Sequence, residues 1–81
     1  MDEARSRLAW SCRRGMLELD LLLMAFLEHG YDALDEPGRA TFERLLETGD
    51  QQLLGWLMGH ETPGEDEKEF IPLIAAIRAS T

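Results

Sequence analysis

The chain has 81 residues, of which 16 are acidic and 8 are basic, so its formal net charge is -8. This charge repels a phosphate backbone and argues against general nucleic-acid binding. A chain of this length buries roughly 60 to 65% of its unfolded surface, so we expect residues 1–81 to form one domain of modest stability. Half of the basic residues lie within the first 14 positions, which makes one end of an acidic molecule positive: Arg5, Arg7, Arg13 and Arg14.

The number of cysteines and the hydropathy of the sequence indicate the cellular compartment. The single cysteine, Cys12, argues against an intramolecular disulfide and fits a reducing environment. The longest uncharged apolar run covers residues 21–27 and is far shorter than the roughly 20 residues that cross a bilayer. No apolar segment of a secretion signal follows the charged N-terminus. We therefore expect a cytoplasmic protein that is not embedded in a membrane.

The first predicted helix runs from residue 3 to about residue 12 or 14. One of its faces is apolar, and the other is basic and aromatic because it carries Arg7, Trp10 and Arg14. We expect this second face to be exposed. Gly15 then interrupts the pattern, which predicts a helix cap or a tight turn before a second helix.

The second predicted helix runs from about residue 16 to residue 28 or 29. At about 100° per residue its apolar side chains surround the axis almost completely, which predicts a central helix buried on all sides. Glu18 and Asp20 interrupt this pattern and point to nearly opposite sides, so they do not form a paired-carboxylate site. The apolar residues are Leu17, Leu19, Leu21, Leu22, Leu23, Met24, Phe26 and Leu27.

Helical signals continue to the end of the chain. Asp35 is typical of the N-cap of a third helix, and Asp50 is expected to cap a fourth helix that buries Met58 among other apolar residues. Residues 61–69 are acidic and predict a solvated connector, after which a last helix starts near Phe70 because Pro72 is tolerated only in a first turn. The sequence therefore predicts an all-α fold, a small single-domain bundle of about five short helices.

A short motif overlaps the predicted joint between the first two helices. Arg14, Gly15, Glu18 and Asp20 follow the pattern R-G-x-x-E-x-D, and Cys12 lies just before it. The pattern resembles the signature of the flavinator family, whose members assist covalent attachment of FAD to the flavoprotein subunit of succinate dehydrogenase. The resemblance is strongest over residues 10–58, approximately. It implies a bacterial assembly chaperone without enzymatic activity, which binds the flavoprotein subunit of succinate dehydrogenase or of fumarate reductase and promotes its flavinylation.

The resemblance also suggests which residues bind the partner. Carried over position by position, it places Arg14, Gly15, Glu18 and Asp20 in the contact surface. The basic and aromatic face adds further candidates, since aromatic and arginine side chains are enriched at interface hot spots: Trp10, Arg13 and Arg7. A purely structural interpretation also explains the motif, as a helix joint in which Arg14 pairs with Glu18.

Other chemistry finds little support in the sequence. No G-x-G-x-x-G follows a strand, so we expect the chain to hold no FAD or other cofactor itself. Metal-binding spacings of Cys and His are absent, and Cys12, His29 and His60 are better explained by structural roles than by catalysis. We expect a monomer, with a free dimer left open. Alternative functions are an antitoxin or regulatory partner of a small membrane-associated toxin, and an unrelated acidic helical adaptor.

Overall fold

Five α-helices account for most of residues 3–80, the part of the chain that the computed structural model describes. No strand occurs within these residues, so the predicted all-α bundle of about five short helices is confirmed. Two short 3₁₀ helices, Tyr31–Ala33 and Glu65–Phe70, lie between the α-helices. The α-helices are α1 (Glu3–Ser11), α2 (Leu17–His29), α3 (Glu36–Leu45), α4 (Asp50–Leu57) and α5 (Ile71–Ala79).

The core forms around one face of α2. Aromatic rings join this face to α3, because the Phe26 and Phe42 ring centroids lie 5.3 Å apart and Tyr31 lies 5.5 Å from Phe42. Removing this apolar surface from water is the main source of stability. The buried face of α2 consists of Leu19, Leu23, Phe26 and Leu27, and the other helices contribute Phe42, Leu45, Leu53, Trp56, Leu57, Leu73, Ile74 and Ile77.

The opposite face of α2 corrects the prediction of a helix buried on all sides. Leu17 is 74% exposed and Leu21 is 60% exposed. They lie on the side of α2 that faces away from Leu19 and Leu23, since residues 17 and 21 share a helical face. A bundle of short helices covers α2 on one side only, so its remaining apolar surface stays in contact with solvent.

The predicted helix ends are partly correct. The Asp35 side chain caps α3 by accepting a hydrogen bond from the Gly38 backbone N–H at 2.8 Å, as expected. Asp50 does not cap α4: Gly49 occupies the N-cap, and Asp50 is the first helical residue. Its Oδ1 atom instead accepts a hydrogen bond from Arg14 Nη1 at 2.8 Å.

The segment before α5 also differs from its prediction. Residues 61–69 are not simply a solvated connector, because Glu65–Phe70 forms a 3₁₀ helix that brings the Phe70 ring to 5.8 Å from that of Trp56. The last helix starts at Ile71, close to the predicted position, with proline in its first turn.

Met58 is 39% exposed rather than buried, since it follows the last residue of α4. None of the helices in residues 3–80 is long and apolar enough to span a bilayer.

Cys12 lies directly after α1 and has no exposed surface. Burial raises the pKa of its thiol to about 11, and the opposing effects of the Arg14 and Asp20 charges are smaller. The thiolate is the reactive form of cysteine. The folded protein therefore holds this thiol neutral and shielded.

We predict that a disulfide reagent at pH 8 labels Cys12 slowly in the native protein and rapidly in denaturant. An unfolded thiol has a pKa of about 8.5, so above that pH Cys12 ionises in the unfolded chain before it ionises in the folded protein. The free energy of unfolding should therefore fall as the pH rises from about 8.5 toward about 11. Thermal melts of the wild type and Cys12→Ala between pH 8 and 11 measure this loss, which the alanine variant lacks. Native labelling as fast as that of the unfolded chain would contradict the buried position.

Candidate partner-binding site

Helices α1 and α2 are joined by a tight turn that depends on Gly15. Its φ is 78°, a left-handed conformation that side chains with a Cβ rarely adopt. A Cβ built at this position would meet no atom within 4 Å. The requirement for glycine is therefore conformational rather than steric, and the predicted turn is confirmed.

The carboxylate of Asp20 holds this turn from the first turn of α2. Its Oδ1 accepts a hydrogen bond from the Arg14 backbone N–H at 2.7 Å, and its Oδ2 accepts one from the Gly15 N–H at 3.3 Å. The positive end of the helix dipole also favours a carboxylate here. Both oxygens of Asp20 are thus engaged within the chain.

The guanidinium of Arg14 connects the turn to the end of α3 and the start of α4. Its Nε donates to the Ser11 carbonyl at 2.8 Å. Its Nη1 donates to the Thr48 carbonyl at 3.2 Å and to Asp50 Oδ1 at 2.8 Å, and its Nη2 donates to the Leu46 carbonyl. We call these contacts the Arg14 clamp. The planar guanidinium satisfies several acceptors at once, which a lysine ammonium at the end of a longer stem does less well.

The structure contradicts one prediction about Arg14 and one part of the alternative, purely structural interpretation. The Arg14 side chain is only 13% exposed, so it does not belong to an open basic face. Nor does it pair with Glu18, because its ionic partner is Asp50. The guanidinium turns inward because carbonyl groups following α3 lack partners of their own and lie within its reach.

Glu18 behaves differently from the other motif residues. It is exposed, and its carboxylate makes no hydrogen bond or ion pair with any residue in 3–80. Its place in the first turn of α2 suits a negative charge. The structure thus brings Arg14, Gly15 and Asp20 together in one internal joint and leaves Glu18 facing solvent.

The remaining predicted residues lie on or next to α1. Trp10 is 70% exposed, and the Arg13 guanidinium lies 5.7 Å from the centre of its ring. Arg7 is exposed and lines a groove of about 390 Å³ together with Glu43 of α3 and Glu47, which follows that helix. Trp10, Arg13 and Arg7 therefore remain available to a partner.

Sequence reasoning missed a second arginine contact, at the other end of α1. The Nη2 atom of Arg5 donates to the Leu27 carbonyl at 2.6 Å, and its Nη1 donates to Asp32 Oδ1 at 2.8 Å. No side chain within Glu3–Ser11 is fully buried, so these polar contacts matter for the position of α1. No local signal reveals them, because the contacting residues lie far apart in the chain.

The candidates for catalysis are not brought together. Cys12 is buried, whereas His29 and His60 are exposed at the ends of α2 and α4. Among residues 3–80, no group of three or more His, Cys, Asp and Glu side chains is arranged to hold a metal ion.

We predict that Arg14→Ala lowers the free energy of unfolding by about 2 kcal/mol, because it leaves part-buried carbonyls and Asp50 without their donor. For a domain of this size the melting temperature should fall by about 10 °C. Arg13→Ala is the matched control: it removes an exposed arginine and should cost under about 1 kcal/mol. Equal melting temperatures of the two variants would contradict the Arg14 clamp.

Comparison with known proteins agrees with the motif. The sequence profile of the family described as "Flavinator of succinate dehydrogenase" matches residues 6–81, so the match includes α5. The chain is 48% identical over 71 residues to the FAD assembly factor SdhE of Pectobacterium atrosepticum, covering 86% of this chain and 81% of that relative. It is 50% identical over 74 residues to the FAD assembly factor SdhE of Legionella pneumophila, covering 91% and 90%. The resemblance seen in the R-G-x-x-E-x-D motif is confirmed, and the chain belongs to the family of flavinators of succinate dehydrogenase.

Proposed function

We propose that this protein is an assembly chaperone that binds the flavoprotein subunit of succinate dehydrogenase and promotes its covalent flavinylation with FAD. The family and the names of its relatives support this role. The single structural observation that carries it is the exposed carboxylate of Glu18, which lies within the family motif and has no partner in residues 3–80. A charged group without an internal partner is free to pair with a second protein.

The joint fixes the backbone from which the Glu18 side chain projects. Asp20 and the Arg14 clamp hold the turn on both sides, and Glu18 lies on α2 between them in the sequence. A contact residue that is already held in place loses less conformational entropy when a partner binds. We therefore assign Arg14, Gly15 and Asp20 a positioning role and Glu18 the direct contact.

Trp10, Arg13 and Arg7 extend the proposed contact surface along α1. Trp10 presents a large exposed ring, and Arg13 keeps its charge next to it. Tryptophan and arginine carry much of the binding energy in many interfaces. Their exposure supports the proposal that the partner contacts α1 as well as the start of α2.

The residues of the joint do not fit FAD. The guanidinium of Arg14 would be the natural ligand of a pyrophosphate, but carbonyl groups and Asp50 already occupy its donors. The backbone N–H groups of Arg14 and Gly15 are likewise taken by Asp20. We infer that the protein acts by binding and that the flavin chemistry belongs to the partner.

The proposal includes a monomeric protein acting in the bacterial cytoplasm. The buried, unpaired thiol of Cys12 fits a reducing compartment. The relatives described above are FAD assembly factors, which favours flavinylation over the antitoxin alternative. The flavoprotein subunit of succinate dehydrogenase is accordingly the partner to test first.

We predict that Glu18→Gln leaves the melting temperature within about 2 °C of wild type, because an exposed carboxylate contributes little to folding. Loss of a charged contact in a desolvated interface costs about 2 to 5 kcal/mol of binding. Covalent flavin in the partner subunit should therefore fall about tenfold or more, as measured by in-gel flavin fluorescence in cells that carry the variant.

Glu36→Gln is the matched control for this experiment. Glu36 is also an exposed glutamate in the first turn of a helix, but it belongs to α3 and lies outside the motif. It should support normal flavin incorporation. Normal incorporation with folded Glu18→Gln protein would rule out the contact role of Glu18.

A further inference from the structure

The exposed leucines of α2 form a patch next to Glu18. Leu17 and Leu21 are one helical turn apart, and Glu18 lies one position from the first and three from the second. The Leu21 side chain is therefore a neighbour of both Leu17 and Glu18 on the helix surface. Leu17 and Leu21 are 74% and 60% exposed. We call these three residues the α2 patch.

The α2 patch is not a by-product of poor packing in the surrounding helix. Leu22 and Met24, which flank Leu21 closely in the sequence, pack against the core. Leu23 is completely buried. The core thus takes up the other large apolar residues of this segment, and Leu17 and Leu21 remain outside it. Single exposed leucines are ordinary, but two adjacent ones beside an unpaired carboxylate favour a binding surface.

We propose that Leu17 and Leu21 form the apolar centre of the surface that receives the flavoprotein subunit, with Glu18 at its edge. This inference rests on the proposed function and adds two leucines that the family motif does not specify. The chemistry of the α2 patch specifies its counterpart: an apolar depression on the flavoprotein with an arginine or lysine at its rim. Burial of the leucines excludes water from the ion pair and strengthens it.

A partner interface of typical size would cover a substantial share of the surface of this small protein. A typical interface covers about 800 Å² of each partner, which is about 15% of the 5247 Å² of accessible surface here. Two other exposed apolar residues serve as a comparison: Met58, directly after α4, and Ile71, at the start of α5.

The test measures the affinity of purified variants for the isolated flavoprotein subunit of succinate dehydrogenase, prepared without covalent FAD. Leu17→Gln/Leu21→Gln keeps good helix formers at both positions. We expect about tenfold to hundredfold weaker binding than wild type. Met58→Gln/Ile71→Gln removes a similar pair of exposed apolar side chains and should bind as wild type does. The melting temperature of the leucine variant should not fall.

Several results would overturn the inference. Wild-type binding by Leu17→Gln/Leu21→Gln, or equal weakening by Met58→Gln/Ile71→Gln, would remove the α2 patch from the interface. A melting temperature lowered by several degrees would show that the leucines support the fold instead. If the wild type sediments as a dimer and the leucine variant as a monomer, the α2 patch would be a contact between two copies of this chain. No binding by the wild type itself would instead contradict the proposed function.

Discussion

The contacts of the Arg14 guanidinium are the constraint on which the rest of the site depends. They connect the turn after α1 to carbonyl groups beyond α3 and to the first residue of α4. Since no side chain of α1 itself is fully buried, apolar burial alone does not fix this helix. Arg5 provides the corresponding contact near its other end, and Cys12 adds one buried side chain directly after it. Two arginines thus hold α1 through polar contacts, together with Leu8 and Ala9, which pack against the core.

This arrangement divides the family motif into two kinds of residue. Arg14, Gly15 and Asp20 shape the joint, and Glu18 faces outward from it. Under the proposed function, we expect substitutions at either kind of position to reduce activity for different physical reasons. Loss of Arg14, Gly15 or Asp20 should disturb the geometry of the joint, whereas loss of the Glu18 charge should leave that geometry intact and remove a contact. A shared motif is therefore compatible with both the structural and the functional interpretation.

Much of the fold follows from local sequence signals. Helical periodicity predicts the five helices, and both the cap formed by Asp35 and the turn at Gly15 depend on residues close in the chain. The long-range partners of Arg14 (Leu46, Thr48 and Asp50) could not be predicted, because they lie 32 to 36 positions away. Periodicity also measures how apolar α2 is and not how much of it the other helices cover. It therefore places Leu17 and Leu21 in the core, although they are exposed.

Hydrogen–deuterium exchange with and without the flavoprotein subunit tests the central claim, that the partner binds at the start of α2. The first regular helical bond of α2 runs from the Asp20 N–H to the Met16 carbonyl, so the amides just before residue 20 have no helical acceptor and should exchange rapidly in the free protein. The account predicts that binding slows exchange over residues 14–21 and leaves residues 58–71 unchanged. Slower exchange confined to residues 58–71 would contradict it.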